Sequence, residues 1–437
     1  MKLFLSQGRG LFLLPLMMAF CCAGSWAQKV QVITTPAPDL GASIAQACAA
    51  AGTNGQIKVN VPGGTISSPA FDGCAASTVI QFGPGQFTFT GAGAANTIAV
   101  NGIKILGSGK GATIFQIGSA DSILFTVNAQ YFELAGMHIR PAPGVTRSGG
   151  NLLVANGALG MVHDVFLVDL FNGFLLQGPN TGGWTFDNIS IFTAGGTWNY
   201  LFKTYSPSAT TSSFTIRNVG GDLAGGTQAG PLFVFDSRTD TVTLSDINIV
   251  GAGGQPMVRC QDTDNAGVGQ WPRWIHFTNS FFEAPNATVI DIRNGRDFSY
   301  QNSYVSGANI GIAVGSGAFD TKIIGNVFPN LARQAITIAA GSRATIIQGN
   351  TFDGTGMGGN ALYPIIDVAA GAADFNINGN QSSSFYPNTN WPNYGVRIAA
   401  KSTRFFVNNN NFQQTKSGSV RNGAGTGSVY SVSANMP

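Results

Sequence analysis

The chain has 437 residues, 59 of them glycine, with 44% apolar and only 10% charged residues. Apolar residues spread along the whole length exclude a disordered chain, and beyond the N-terminal leader no run is long enough for a membrane span. The formal charge of +3 falls to +1 when Lys2 and Arg9 leave with that leader, which excludes the basic stripe a nucleic-acid partner requires.

Residues 1–27 read as a secretory signal. Lys2 and Arg9 give the positive start, LFLLPLMMAFCC (11–22) the apolar stretch, and Ser25 and Ala27 the small residues a signal peptidase reads. Cleavage after Ala27 makes Gln28 the mature start and predicts a secreted or periplasmic protein without membrane contact. A lipoprotein site at Cys21 is disfavoured by the bulky Phe20. Three cysteines remain: Cys48, Cys74 and Cys260. Export permits a disulfide, and Cys48 and Cys74 can bridge across an N-terminal cap. Cys260 sits in an apolar alternation and reads as a small buried residue. No Cys/His spacing indicates zinc.

LGSGKGATI (106–114) invites a phosphate-loop reading, but the first glycine is displaced and Gly111 stands where Ser or Thr is required. It reads as a turn. Beyond it a phrase recurs: apolar alternation, an Asn or Asp, apolar alternation again. The polar landmark falls at Asp164, Asn188, Asn218, Asp246, Asn279, Asn302, Asn326, Asn350, Asn380 and Asn410. Separations are 24, 30, 28, 33, 23, 24, 24, 30 and 30 residues. A minimum period with variable insertions is what a solenoid produces. Further short strands follow each landmark, for example PLFVFDS from Pro231 and PMVRCQD from Pro256. Asn and Gly suit the left-handed bend, and stacked Asn side chains can bond from coil to coil. Stacking about 4.8 Å apart gives a continuous core and three parallel sheets. The expected organisation is one domain over 28–437: a cap region at 28–75, coils over about 76–420, and a tail at 421–437.

DLGASIAQACAAAGTNGQIKVNVPGGT (39–65), together with the coils, resembles the pectin-lyase-like superfamily of right-handed parallel β-helix proteins over about residues 30–420. The N-terminal stretch is similar to the pectate-lyase-type, family 28-related glycoside hydrolase domain. The resemblance implies a helix at 44–51 capping about eleven or twelve coils, and a polysaccharide cleft along the strands that begin at Pro231, Pro256 and their equivalents in later coils. The family's catalytic signatures are missing. Asn180 and Thr181 are followed by Gly182 rather than Asp, and there is no Gly-His-Gly, no Trp-x-Asp-His and no DFIFG-like stretch. His138, His163 and His276, the only histidines, lie in strand-like alternations and read as structural.

Alternation on the cleft strands predicts Phe233, Phe235, Val258, Cys260, Ile290 and Ile292 inward. It predicts Val234, Asp236, Arg259, Gln261, Asp291 and Arg293 outward, with Lys203 and Tyr205 on the preceding coil. The insertion QDTDNAGVGQWPRW (261–274) adds Asp262, Asp264, Trp271 and Trp274 to the rim, and Glu283 lies in the next coil. Rings beside acids suit a sugar site. Asp236, Asp262 and Asp291 are the candidate acid–base or metal carboxylates, with Arg259 and Arg293 as anion-holding or basic groups. Lys203, Tyr205, Trp271, Trp274, Asp264 and Glu283 are candidate substrate contacts. Two coils separate Asp236 from Asp291, roughly 9–10 Å, near the span of an inverting glycosidase pair. A lyase would instead call for Ca²⁺ on the aspartates; no other cofactor is indicated.

Three readings follow. The first is an exported enzyme cleaving an extracellular pectin- or uronate-type polysaccharide, as hydrolase or lyase. The second is a non-catalytic surface or glycan-binding β-helix. The third, a phage-tailspike-like depolymerase, is opposed by the signal sequence. The charges can equally form salt-bridge ladders on a solvated sheet. Monomer and trimer both remain open.

Overall fold

The computed structural model describes residues 28–67, 69–91, 96–179, 181–383 and 390–436. Residues 1–27, expected to be a signal sequence, and Asn180 lie outside them. Among the described residues the strand pairings are parallel and join one coil to the next, from Val30–Ile33 on Gln56–Val59 to Thr403–Asn408 with Tyr430–Ser433. The fold is an all-β parallel β-helix of about 14 turns with one α-helix among the described residues.

The turn count corrects the expected eleven or twelve. The supposed cap region already contains coil strands Gln56–Val59 and Gly63–Ser67. The supposed tail contains Gly418–Asn422 and Tyr430–Ser433. These outer coils lack the Asn landmark, so counting landmarks missed them.

Each coil runs through a first sheet, a tight bend, a second sheet, a turn, a third sheet and a loop back to the first. The third sheet positions the candidate site. Its inward row is Phe202, Phe233, Val258, Ile290, Ile312, Ile336, Ile366 and Val396, in register on successive strands. Phe174, Phe202 and Phe233 stack with centroids 5.1 and 5.5 Å apart. Identical periodicity in every coil turns isolated apolar residues into one continuous core.

The helix Leu40–Ala51 closes the N-terminal end with Leu40, Ile44, Ala47, Cys48 and Ala51 buried. Asp39 caps it, accepting from the N–H groups of Gly41 (2.8 Å) and Ser67 (3.0 Å). Cys48 and Cys74 form a disulfide that ties the helix to the second coil, while Cys260 is free and buried.

The bends hold two different polar positions. Asp164, Asn188, Asn218, Asp246, Asn279 and Asn302 adopt positive φ between 49° and 57° and make the left-handed kink. From the next coil on, Gly325, Gly349 and Gly379 take that place, with φ of 67°, 63° and 64°. Asn326, Asn350, Asn380 and Asn410 are the following residue and point inward, each at most 1% exposed. The repeated phrase therefore slips by one position between Asn302 and Asn326. A kink residue and a core residue look alike in sequence because both are asparagine.

Candidate functional site

The outward row of the third sheet reads Lys203, Val234, Arg259, Asp291, Ala313 and Thr337 in register. Two cations thus flank an apolar residue, and a carboxylate follows. The six residues expected inward are all buried. Two expected outward are not exposed: Val234 is 5% and Asp236 1% exposed. Val234 lies in register between Lys203 and Arg259. Asp236 lies just past Phe235, beneath the start of the 261–274 insertion.

Asp236 Oδ1 accepts from the N–H groups of Ser237 and Thr263, both at 2.9 Å. Its Oδ2 accepts from Gln261 Nε2 (2.8 Å) and Thr263 Oγ1 (2.6 Å). A buried carboxylate needs such donors, and here they come from the loop it anchors. Asp262 works the same way, accepting from Ala266 and Gly267 N–H at 2.9 and 3.1 Å and from Trp271 Nε1 at 3.0 Å. Asp264 accepts from Tyr205 Oη (3.1 Å) and pairs with Arg238 Nη1 (2.9 Å). Asp236 and Asp262, candidate acid–base groups, and Asp264, a candidate substrate contact, thus all hold the rim loop.

Asp291 is bridged by two guanidinium groups: Arg259 Nε at 3.1 Å and Arg293 Nε at 2.9 Å, both on Oδ2. Arg293 is more than half exposed, while Arg259 is held close to the sheet. Burial lowers the Arg259 pKa, with Asp291 opposing the shift and Arg293 adding to it. Lys203 Nζ lies 5.9 and 5.8 Å from the ring centres of Tyr200 and Tyr205 and has no carboxylate partner among the described residues. The hydrogen bond to Asp264, more than burial, raises the Tyr205 pKa and keeps its hydroxyl protonated.

The fold thus gathers Lys203, Tyr205, Asp264, Arg259, Asp291 and Arg293 along one face. It does not gather the rest. Trp271 is turned onto Phe319, with centroids 5.3 Å apart. Trp274 is the second residue of a first-sheet strand, Arg273–Thr278, where the Arg273 guanidinium lies 4.7 Å from its ring centre. Glu283 ends the second-sheet strand Phe281–Glu283, at the opposite end of the third-sheet strands from the insertion. Among the described residues, no three His, Cys, Asp or Glu side chains are grouped to hold a metal ion. Of the proposed glycosidase pair, Asp236 is enclosed and Asp291 is paired with two guanidinium groups.

Sequence reasoning missed Arg238. It sits in the turn after Ser237, where strand alternation no longer says which way a side chain points. It also missed a network on the first sheet. There His163 contacts Asp164 (2.7 Å) and Glu133 (3.2 Å), and Glu133 pairs with Lys104 (2.6 Å).

No family model matches the sequence, and no curated protein does. Several solved structures are similar at low identity. The A-module of Azotobacter vinelandii mannuronan C-5 epimerase AlgE6 is 12% identical over 93% of this chain and 97% of its own, with a TM-score of 0.48. The catalytic domain of a GH87 alpha-1,3-glucanase in complex with tetrasaccharides is 13% identical over 94% and 69%, at 0.45. DFA-IIIase from Arthrobacter chlorophenolicus A6 is 12% identical over 87% and 94%, at 0.43. The fold assignment rests on the strand registers above, and no residue of this chain takes its role from these proteins.

Proposed function

We propose that the protein is exported and acts on an acidic polysaccharide laid along the third sheet. One observation carries this reading: the carboxylates near the face are consumed by internal contacts, whereas Lys203 is uncompensated and Arg293 stands open to solvent. Such a face attracts uronate carboxylates rather than neutral sugars.

Among cleavage reactions, β-elimination suits these groups better than hydrolysis. Arg259 and Arg293 would hold the uronate carboxylate and stabilise the charge that develops when the proton beside it is removed. Lys203, as a cation beside them, would add to that stabilisation, and a hydroxide from solvent would take the proton. The C–O bond to the leaving sugar then breaks as the carbon–carbon double bond forms, and the Tyr205 hydroxyl would protonate the departing oxygen. A non-catalytic glycan-binding role is the second reading, favoured by the same engagement of every nearby acid.

The test is incubation of residues 28–437 with polygalacturonate, alginate and a neutral glucan. An ultraviolet-absorbing unsaturated product that disappears in Lys203→Gln supports elimination. New reducing ends without unsaturation restore a hydrolase. Binding without product favours the second reading, and failure to bind any acidic polymer removes the proposal.

A further inference from the structure

A separate cavity opens where the second sheet turns into the third on the N-terminal coils. It is lined by Arg140, Thr146, Arg147, Asp169, Gly195 and Thr197, among others. Arg140 ends the outward row of the strand Glu133–Pro141. It forms no ion pair among the described residues, and its Nε is buried without a hydrogen-bond partner. An unsatisfied buried donor on a charged group costs more than a neutral one, so this guanidinium is set for a partner the chain does not supply.

The surroundings add positive charge. Arg147 is 3% exposed and donates to the carbonyls of Ser119 (2.7 Å) and Ser122 (2.8 Å), with no carboxylate in contact. Burial pushes its pKa down to about 10, against the pull of Asp121, so it remains charged at neutral pH. The one carboxylate in the lining, Asp169, is engaged by the N–H groups of Ala194 and Gly196 (3.1 Å each) and by Thr193 Oγ1 (2.8 Å). These bonds fix the carboxylate against the 194–196 turn. His138, two residues before Arg140, has its pKa pushed down to about 4 by burial and by Arg140, and stays neutral.

We infer that this cavity is a binding site for an oxyanion, carboxylate or sulfate, with Arg140 as the principal contact. Thr197, which lines it, opens the strand Thr197–Tyr205 that carries Lys203 near its far end. The cavity is therefore distinct from the third-sheet face, and the inference does not depend on the function proposed for that face.

Isothermal titration of the protein with sodium sulfate, an oligogalacturonide and the corresponding neutral oligosaccharide tests it. The expected result is binding of at least one anionic probe and none of the neutral one. Arg140→Gln should weaken sulfate binding about tenfold or more and remove the oligogalacturonide binding that persists in Lys203→Gln. Sulfate binding alone identifies a free-ion site, and preference for the oligogalacturonide identifies a glycan subsite. Loss in Lys203→Gln but not in Arg140→Gln would assign the binding to the third-sheet face and overturn the inference. So would equal binding of the neutral sugar, or no binding of either anion. Arg140→Lys, which keeps the charge and loses the fork, should recover part of the affinity if Arg140 contacts the ligand.

Discussion

Asn350 Oδ1 accepts from both the main-chain N–H of Asn326 (2.9 Å) and its side-chain amide (3.0 Å). Asn380 does the same for Asn350, and Asn410 for Asn380. The other amide proton of each residue reaches a main-chain carbonyl in a first-sheet strand, such as Ile323 for Asn350. Each rung thereby satisfies a neighbour's main chain inside an otherwise apolar barrel. Asn350→Ala removes one acceptor and strands two buried donors, so it should destabilise by about 2–4 kcal/mol. Asn302→Gly changes only a left-handed kink residue, and glycine accepts that conformation readily, so it should cost less than about 1 kcal/mol. Urea titration of both variants checks the difference; equal losses would remove the distinction between ladder and kink.

The solenoid was legible because its signal is repeated: each coil restates the same alternation, and errors in one are outvoted by the others. Coil number was less legible, since the terminal coils substitute other residues at the bend. The inward row of the third sheet followed from period-two alternation over Phe233, Phe235, Val258 and Cys260. The site did not follow in the same way. Asp236 and Asp262 resemble catalytic acids in sequence, but acids also fold loops by accepting N–H bonds, and residue type does not separate the two roles. Arg238 and Trp274 sit in turns or corners with positive φ, 63° and 55°, where alternation carries no direction.

The histidines should pull stability in opposite directions with pH. Burial lowers the His163 pKa, but contacts with Asp164 and Glu133 outweigh it and leave it raised. A raised folded pKa gives stability that is present below the unfolded value near 6.5 and is lost as pH rises through the folded value. His138 is lowered to about 4 by burial and Arg140, so the unfolded chain binds its proton first and stability falls as pH drops from about 6.5 to about 4. His163→Gln should therefore flatten the alkaline loss. His138→Phe should flatten the acid loss, keeping its contact with the Phe166 ring, whose centre is 4.8 Å away. Denaturant midpoints from pH 4 to 9 read both; an unchanged profile in either variant refutes that assignment.

Asp236 offers a test of loop folding against catalysis. Asp236→Asn replaces an acceptor with a donor facing Gln261 Nε2 and Thr263 Oγ1, so at least one contact must break. The expected effect is a loss of about 1–3 kcal/mol and faster proteolysis within 261–272. As temperature rises, loop cleavage should increase in step with the loss of activity. If activity disappears while proteolysis and melting stay at the parent level, Asp236 acts in chemistry and its structural role is secondary.

Asp291 separates the two readings of the third-sheet face most directly. Its Oδ2 is shared by Arg259 and Arg293, and it supplies the negative charge nearest to both. Under hydrolysis, Asp291→Asn would abolish turnover. Under acidic-glycan recognition it removes a competitor for two guanidinium groups, so affinity for polygalacturonate should rise about two- to fivefold at low ionic strength, on the scale of one part-exposed ion pair. The gain should shrink with added salt, because screening acts on the same interaction. Arg259→Gln should weaken binding in either background. The double variant should bind less tightly than Asp291→Asn alone, because the released cation is then absent. Affinity that falls in Asp291→Asn, across all salt concentrations and with melting unchanged, would show that the carboxylate itself contacts the glycan.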